Sequence, residues 1–380
     1  MDALMLPLNW QKVRLGDIAN YLTSNLSVEQ ITQQGKIKVY DVNNFIGYTD
    51  TTFISEKPYI SIVKDGSVGR VRILPPKTNI LSTMGALIAN HRTTTEFLFY
   101  LLSNFDFKNF TSGSIIPHIY FKDYKEKTIF LPPLNEQNAI ANVLSGLDRY
   151  LCALGALILK KEGVKKALSF ELLSQRKRLK GFNQAWQKVR LGDIAEIKRG
   201  ASPRPIENPK WFCANSNVGW VRISDISKNS RFLYKTAQKL SKKGIEKSRL
   251  VKQNSLIMSM CATIGKPIIT KIDTCIHDGF VVFENPKIDL NYLYYFLCYI
   301  EKEWLESGQQ GSQVNLNVDL IKNKEVFYPK DLNEQNAIAN ILSALDNEIA
   351  SLKNKKRQFE NIKKALNHDL MSAKIRVLKK

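Results

Sequence analysis

Cysteine and acidic residues are both scarce in this chain of 380 residues. The cysteines are odd in number and widely spaced, which excludes a disulfide framework and favours a reducing compartment. They are Cys152, Cys213, Cys261, Cys275 and Cys298. Asp and Glu number 35 against 56 Lys and Arg, so the formal net charge is +21. A chain this basic is expected to bind a polyanion, either nucleic acid or an anionic membrane surface.

Long apolar runs are also missing. The longest, at residues 151–159 and 290–300, are shorter than the roughly 20 residues that a membrane-spanning helix needs. The N-terminus lacks the basic, apolar and small-residue order of a secretion signal. With 44% hydrophobic and 24% charged residues, the composition is typical of a folded globular chain. We therefore expect a basic cytoplasmic protein without a membrane segment.

Motifs for catalysis and for metal binding are absent as well. Gly265 and Lys266 are followed by proline and lack the upstream glycine of a phosphate-binding loop. Cys275 and His277 have no second pair of residues at zinc-ligand spacing. No serine or cysteine recurs beside a histidine in both halves of the chain. The sequence therefore predicts neither catalytic residues nor a metal site.

The chain contains an internal repeat, which has to be recognised before any fold is assigned. Trp10–Ala19 and Trp186–Ala195 have the same sequence, WQKVRLGDIA, at an offset of 176. Leu134–Asn142 and Leu332–Asn340 share LNEQNAIAN at an offset of 198. The second copy therefore carries a net insertion of about 22 residues in its middle.

The second repeated motif begins a long amphipathic segment. Apolar residues recur at alternating spacings of four and three, which is the a/d pattern of a coiled coil. They are Ile140, Leu144, Leu147, Leu151, Leu154 and Ile158 in the first copy, and Ile338, Leu342, Leu345, Ile349 and Leu352 in the second. We predict two long helices that pair antiparallel, because two tandem copies related by a pseudo-dyad can pair in no other direction. The alternative is two unrelated amphipathic helices on two domains.

Short β-branched and aromatic segments precede each long helix and are broken by Asp-Gly and Pro-Pro turns, a pattern typical of strands. Each half also has one aromatic helix candidate, at residues 95–105 and 290–304. The predicted fold class is α+β, with two globular domains alternating with two long helices in a pseudo-two-fold repeat. The predicted boundaries are 1–133 and 181–331 for the globular domains, and 134–180 and 332–380 for the helical regions.

Two motifs carry a resemblance to a known family. The opening runs from Leu6-Pro7 through Trp10 to Leu15-Gly16-Asp17-Ile18, and the closing Leu-Pro-Pro-Leu-x-Glu-Gln motif from Leu131 to Ala141. The chain resembles, over its whole length, the specificity subunit of type I restriction–modification systems. It departs from the pattern where Tyr328-Pro329-Lys330 lacks the double proline, and where the second opening lacks Leu-Pro.

The resemblance implies a non-catalytic targeting subunit whose two globules are target-recognition domains. It would bind double-stranded DNA at an asymmetric bipartite target, with half-sites spaced by the helices. Its partners would be two modification (methyltransferase) subunits and the restriction subunits. S-adenosylmethionine, ATP and Mg²⁺ would be used by those partners. The alternatives are a stand-alone DNA methyltransferase or nuclease, and a basic coiled-coil scaffold without sequence preference.

Basic side chains beside turns are the candidates for DNA contact, because arginine pairs bidentately with guanine. A glycine beside such a residue would let the backbone approach a ligand closely. The candidates are Lys64, Arg70 and Arg72 in the first globule, and Arg199, Arg204, Arg222, Arg231 and Lys266 in the second. Plain hairpins and a solvated basic face are the alternative interpretation.

By the same resemblance, the repeated LNEQN segments would contact the two modification subunits. The candidates are Asn135, Glu136, Gln137 and Asn138 in the first copy, and Asn333, Glu334, Gln335 and Asn336 in the second. The alternative is that these residues only cap the helices and fix their packing.

Overall fold

The computed structural model describes residues 9–306 and 316–377. Residues 6–8 of the opening motif lie outside that range. The chain divides into two compact units. Unit 1 comprises Met1–Leu157 and Leu352–Lys380, and unit 2 comprises Ile158–Ser351. Each unit therefore contains one globule and parts of both helical regions, whereas the boundaries drawn from the sequence keep each helical region whole.

Unit 1 is built from short strands and one aromatic helix before the first long helix. Its strands are β1 (Gln11–Arg14), β2 (Ala19–Thr23), β3 (Ile37–Tyr40), β4 (Phe45–Thr49), β5 (Tyr59–Val63), β6 (Val71–Leu74), β7 (Thr78–Ile80), β8 (Met84–Ala89), β9 (Thr111–Ser112), β10 (His118–Ile119) and β11 (Thr128–Leu131). Its helices are α1 (Thr95–Ser103), α2 (Phe121–Tyr124) and the start of α3 (Leu134–Leu173). Three short 3₁₀ turns lie at Leu15–Asp17, Val28–Gln30 and Lys108–Phe110.

Unit 2 repeats this order with additional elements. Its strands are β12 (Trp186–Arg190), β13 (Glu196–Arg199), β14 (Gly219–Val221), β15 (Phe232–Leu233), β16 (Gln238–Lys239), β17 (Arg249–Val251), β18 (Leu256–Ser259), β19 (Pro267–Thr270), β20 (Thr274–Ile276), β21 (Phe280–Glu284) and β22 (Glu325–Pro329). Its helices are α4 (Leu191–Ile194), α5 (Ile223–Ser227), α6 (Lys242–Glu246), α7 (Leu290–Tyr299), α8 (Glu301–Glu306), α9 (Val318–Asn323) and the start of α10 (Leu332–Met371), with a 3₁₀ turn at Pro209–Trp211.

The main sheets of the two units have equivalent strand orders. In unit 1 the order is β2-β8-β5-β6, and in unit 2 it is β13-β21-β18-β19 with β15 added at the edge. The registers match: Ile60 pairs with Leu87, and Leu256 pairs with Phe283, so both partners are displaced by 196. The smaller sheets are β4-β3-β7 and β16-β14-β20-β17, and the β3–β7 and β14–β20 pairs are both parallel. The predicted α+β internal repeat is confirmed.

The offset between the copies locates the insertion. It is 181 between strands β3 and β14, as Lys38 and Gly219 show, and 196 between β7 and β20 (Thr78 and Thr274) and between β5 and β18 (Ile60 and Leu256). Most of the extra length therefore lies between β14 and β18, where unit 2 has α5, β15, β16, α6 and β17.

The core of each unit forms where the aromatic helix packs on the main sheet. Phe97, Leu98 and Leu101 of α1 cluster with Ile60 and Leu87 in unit 1. The same cluster includes Ile140 and Leu144 of α3 and Leu370 and Met371 of α10. Unit 2 has the corresponding arrangement, in which Leu293 of α7 clusters with Leu342 of α10 and Leu172 of α3. Both long helices thus contribute to both cores.

The two long helices run antiparallel within each unit. In unit 1, Asp148 accepts a hydrogen bond from Lys363, and the Tyr150 and Phe359 rings are 4.9 Å apart. In unit 2, Lys165 donates to Asp346, and Lys161 Nζ lies 2.8 Å from Glu348 Oε1. As the residue number rises on α3, it falls on α10. Each helix has 40 residues, or about 60 Å at 1.5 Å per residue. The predicted antiparallel coiled coil is confirmed.

The first long helix qualifies the expectation that no segment could span a membrane. By length and composition alone, Leu134–Leu173 is apolar enough to do so, with a mean hydropathy of 1.3 over its best 18-residue window. Its apolar stripe has protein partners, because Ile140 and Leu144 are fully buried in the unit 1 core. We therefore interpret it as a helix that packs within the fold.

Candidate nucleic-acid interface

The two main sheets end in the same kind of turn. The turn between β5 and β6 is closed by the Gly69 amide, which donates to the Val63 carbonyl at 2.9 Å. The turn between β18 and β19 is closed by Gly265 and Ser259 at the same distance. Both glycines have positive φ, +81° and +77°, a conformation that favours glycine. Gly69 and Gly265 are 196 positions apart, the same offset as between β5 and β18, so the two turns are equivalent.

Each of these glycines packs against an aromatic ring. A Cβ added to Gly69 would lie 2.5 Å from Phe107, and one added to Gly265 would lie 2.2 Å from Trp304. The sequence argument gave these glycines the role of admitting a ligand to the backbone. The close approach in the structure is instead to a side chain of the same unit, so backbone conformation and packing account for both glycines.

The candidate arginines of unit 1 are held by one asparagine. Arg70 is exposed, and its Nη2 donates to Asn43 Oδ1 at 2.8 Å. Arg72 is half-buried, donates from Nη1 to the Asn43 carbonyl at 2.9 Å, and stacks over the Tyr40 ring. Lys64 lies at the start of the same turn, where its carbonyl accepts from the Ile119 amide. Arg70 and Arg72 thus meet beside the β3–β4 loop, whereas Lys64 is bonded through its backbone to strand β10.

A short hairpin formed by β9 and β10 is attached to this turn. The Gly66 amide donates to the Pro117 carbonyl at 2.8 Å, and His118 Nδ1 lies 2.7 Å from Asp65 Oδ1. Sequence reasoning missed this hairpin, because two-residue strands leave no alternating pattern. The sequence feature that could have revealed the hairpin is the Gly-Ser-Ile-Ile-Pro segment at residues 113–117. Glycine, serine and proline favour turns, and here they flank two aliphatic residues.

In unit 2 the candidate residues converge on Asp278. The Arg199 Nε donates to the Asp278 carbonyl at 2.8 Å, and the Arg204 Nη2 lies 3.2 Å from its Oδ2. The Ser202 hydroxyl donates to Oδ1 at 2.8 Å. Partial burial acts to raise the pKa of Asp278, but the Ser202 hydrogen bond and the nearby Arg204 charge outweigh it and lower the pKa. The Asp278 carboxylate therefore holds Arg204, and the backbone carbonyl of the same residue holds Arg199.

Arg222 and His277 lie beside the same loop. Arg222 is exposed and donates from Nη1 to Gln238 Oε1 at 3.0 Å. Burial lowers the pKa of His277, and the nearby Arg222 charge lowers it further, against the opposing effect of Asp278. The Gly279 amide donates to His277 Nδ1 at 2.9 Å, which requires an unprotonated nitrogen. His277 is thus a neutral structural support for the loop.

The remaining two candidates of unit 2, Lys266 and Arg231, are buried to different degrees. Lys266 is half-buried, and its charge opposes the burial that raises the pKa of Glu301. Arg231 is only 7% exposed, and its two terminal nitrogens donate to Ser343 Oγ and Asn291 Oδ1, both at 2.6 Å. Because its guanidinium also lies 5.0 Å from the Tyr295 ring, Arg231 serves the interior of unit 2. Arg231 therefore lies outside the exposed basic surface of unit 2.

The repeated motifs meet each other inside each unit. The Trp10 indole donates to Glu136 at 3.1 Å, and Arg376 makes a bidentate pair with the same carboxylate at 3.0 and 2.6 Å. In unit 2, Trp186 donates to Glu334 at 3.2 Å, and Arg178 pairs with it at 3.1 and 2.7 Å. Glu136 and Glu334 are each 1% exposed. Part of the identity between the repeats therefore preserves packing within the chain.

The LNEQN segments divide into buried and exposed residues. Gln137 bonds to the carbonyls of Pro132 and Arg92 and accepts from Thr93, and Gln335 bonds to the Pro329 carbonyl. With the two glutamates, these side chains are already occupied. Of the eight residues predicted to contact the modification subunits, the exposed ones are Asn135, Asn138, Asn333 and Asn336. Only these four candidates for partner contact are accessible.

A metal site is not found in the described ranges. Among residues 9–306 and 316–377 there is no group of three or more His, Cys, Asp or Glu residues that could hold a metal ion. All five cysteines are free thiols.

Comparison with known proteins identifies a family. The family model described as the type I restriction modification DNA specificity domain matches residues 7–161 and 183–361. The type I restriction enzyme MjaVIII specificity subunit of Methanocaldococcus jannaschii is 26% identical over 99% of this chain and 95% of that protein. A putative type I specificity subunit of Mycoplasma genitalium is 25% identical over 91% of this chain and 89% of its own length.

A solved structure has the same fold. The crystal structure of a type I restriction–modification system S subunit from M. genitalium aligns with a TM-score of 0.65, covering 98% of both chains at 20% identity. A second solved structure comes from work on complex assembly and conformational transition of the type I R-M system. It aligns with a TM-score of 0.59 at 16% identity.

Proposed function

We propose a function from one established premise: the chain belongs to the type I restriction–modification DNA specificity family, whose model matches both of its halves. Its function is to select the DNA target of a type I complex. The target is asymmetric and bipartite, with one half-site for each unit and a spacing set by the long helices.

One observation carries this proposal. The exposed basic residues lie on different loops in the two units. Unit 1 presents Arg70 and Arg72 around Asn43, whereas unit 2 presents Arg199 and Arg204 around Asp278. Arginine is the commonest reader of guanine, and basic side chains also bind phosphates. The same fold with arginines on different loops in its two copies is suited to reading two different half-sites.

Two modification subunits are the proposed protein partners. Asn135 and Asn138 of one copy correspond to Asn333 and Asn336 of the other, and all four are exposed at the start of a long helix. Identical accessible residues in otherwise divergent halves suit two copies of the same partner. The restriction subunits would join the same complex.

The chain itself is a non-catalytic subunit in this proposal. S-adenosylmethionine, ATP and Mg²⁺ are assigned to the modification and restriction partners, and the complex is assigned to the cytoplasm. The competing functions are a stand-alone DNA methyltransferase or nuclease, and a scaffold without sequence preference.

Mapping of methylated bases tests the proposal. The chain would be co-expressed with its candidate modification subunit in a host without other methylation, and methylated adenines would be mapped across the genome. We expect a single two-part motif with an unread gap. A one-part or symmetric motif would contradict the assignment of one half-site to each unit.

An assay of the purified chain without partners tests the competing proposal of a stand-alone enzyme. We expect the chain to leave target DNA unmethylated and uncut in the presence of S-adenosylmethionine, ATP and Mg²⁺. A scaffold is distinguished by binding, because it would show neither sequence preference nor a strong fall in DNA affinity with salt.

A further inference from the structure

The tip of the β9–β10 hairpin exposes two consecutive aliphatic side chains. Ile115 is 92% exposed and Ile116 is 54% exposed. Exposure of single apolar residues is common, but two neighbours at the tip of a hairpin leave most of their apolar area in water. They contribute little to the stability of unit 1, so a different role has to account for them.

The hairpin holds these side chains in a defined position. Gly113 has a φ of +90°, and a Cβ on it would lie 2.2 Å from the Ile116 carbonyl oxygen, so only glycine fits there. The base of the hairpin is bonded to the β5–β6 turn through Pro117, His118 and Ile119. These bonds fix the hairpin next to the β5–β6 turn, which carries Lys64 and Arg70.

The charge around the tip favours DNA as the occupant. The β5–β6 turn supplies Lys64 and Arg70, strand β6 supplies Arg72, and the one carboxylate of the turn, Asp65, is engaged by His118. An apolar contact in a basic surrounding is the combination that reads a thymine, whose C5 methyl group is the one apolar feature of the major-groove edges. A modification subunit is a less suitable occupant, because the accessible Asn135 and Asn138 that we assign to it lie at the start of α3 and outside this hairpin.

We propose that Ile115 and Ile116 contact a thymine methyl group in the half-site of unit 1 and so help to determine the target sequence. This rests on the proposed function. If the modified base is adenine, each half-site contains an A·T pair and hence at least one thymine.

Substitution of thymine by deoxyuridine tests the contact, because the two bases differ only in the C5 methyl group. The full chain, assembled with its modification subunits, would be titrated against duplexes in which each thymine of the mapped target is replaced in turn. We expect one replacement in one half-site to weaken binding about fourfold, the factor for one methyl-sized group removed from contact. Ile115→Ser and Ile116→Ser should weaken binding to the unmodified duplex and no longer distinguish thymine from deoxyuridine at that position.

The control is Ile362→Ser, which removes an isoleucine of the same unit that is 51% exposed on α10. It should retain the wild-type response to deoxyuridine. The proposal is overturned if the hairpin variants keep the wild-type response, if they alter DNA bending alone, as a wedge between base steps would, or if they impair assembly with the modification subunits. Absence of any two-part target would instead refute the proposed function, because no duplex could then be designed.

Discussion

Two glycines of the β5–β6 turn share a backbone conformation but differ in their surroundings. Gly66 has a φ of +84° and would have nothing within 4 Å of an added Cβ. Gly69 has a φ of +81°, and its added Cβ would lie 2.5 Å from Phe107. The pair therefore separates the cost of the left-handed conformation from the cost of filling an occupied space.

We predict that Gly69→Ala destabilises the protein more than Gly66→Ala. The left-handed conformation costs a non-glycine residue about 1–2 kcal/mol, and both variants incur it. Overpacking against Phe107 adds about 1–3 kcal/mol to Gly69→Ala alone. Urea unfolding of the full chain, monitored for unit 1, measures the difference. Equal losses for the two variants would mean that the ring moves aside and that the glycine is needed only for its φ.

For single residues, the sequence predicted which basic side chains lie beside turns but not which of them are buried. The basic turns could be identified, because glycine beside Lys or Arg between strand patterns is a local signal. The burial of Arg231 could not, since it depends on Asn291 and Ser343, which are distant along the chain. The same limit applied to Glu136, which is an ordinary polar helix start in the sequence and a buried partner of Arg376 in the structure. Whether the exposed arginines contact DNA stays a prediction.

The long helices could be predicted as elements because their signal is periodic and extends over 40 residues. Their antiparallel pairing followed from the duplication. What the sequence could not provide is the set of contacts between each long helix and the aromatic helix of its unit. Tyr100 of α1 donates to Asp148 at 2.8 Å, and Tyr295 of α7 donates to Asp346 at 2.7 Å. The tyrosines are 195 positions apart and the aspartates 198, so the equivalent contact is not visible as an aligned pair in the sequence.

We predict that Arg376→Ala and Arg178→Ala each lower the stability of the unit to which they belong. Removal of either cation leaves a carboxylate that is 1% exposed without its charged partner, and an unpaired buried charge is strongly unfavourable. The control is Arg357→Ala, since Arg357 is exposed on the same helical region as Arg376. Hydrogen exchange resolved by residue should show faster exchange at the start of α3 for Arg376→Ala and at the start of α10 for Arg178→Ala. Unchanged protection at both sites would indicate that the tryptophan hydrogen bond is sufficient to hold each glutamate.

The whole molecule combines duplication with divergence. The main sheets, the aromatic helices and the buried glutamates are repeated, whereas the loops at the strand ends and the region between β14 and β18 differ. The repeated parts are those that build each unit and accept the long helices. The divergent parts are those that carry the exposed arginines, so changes in one set of loops should leave the other unit unaffected.

Independent half-sites are therefore the last prediction. In the assembled complex, Arg70→Gln should weaken binding or relax base preference at one half-site, by about 1–3 kcal/mol if Arg70 reads a base. Arg204→Gln should do so at the other half-site only. If either arginine contacts a phosphate, its variant should instead lose affinity for all sequences and reduce the slope of log affinity against log salt by about one. Arg357→Gln provides the matched control on α10, where we expect no change in base preference. Binding to duplexes altered in one half-site at a time distinguishes these outcomes, and a change in base preference at both half-sites from a single substitution would refute the assignment of one half-site to each unit.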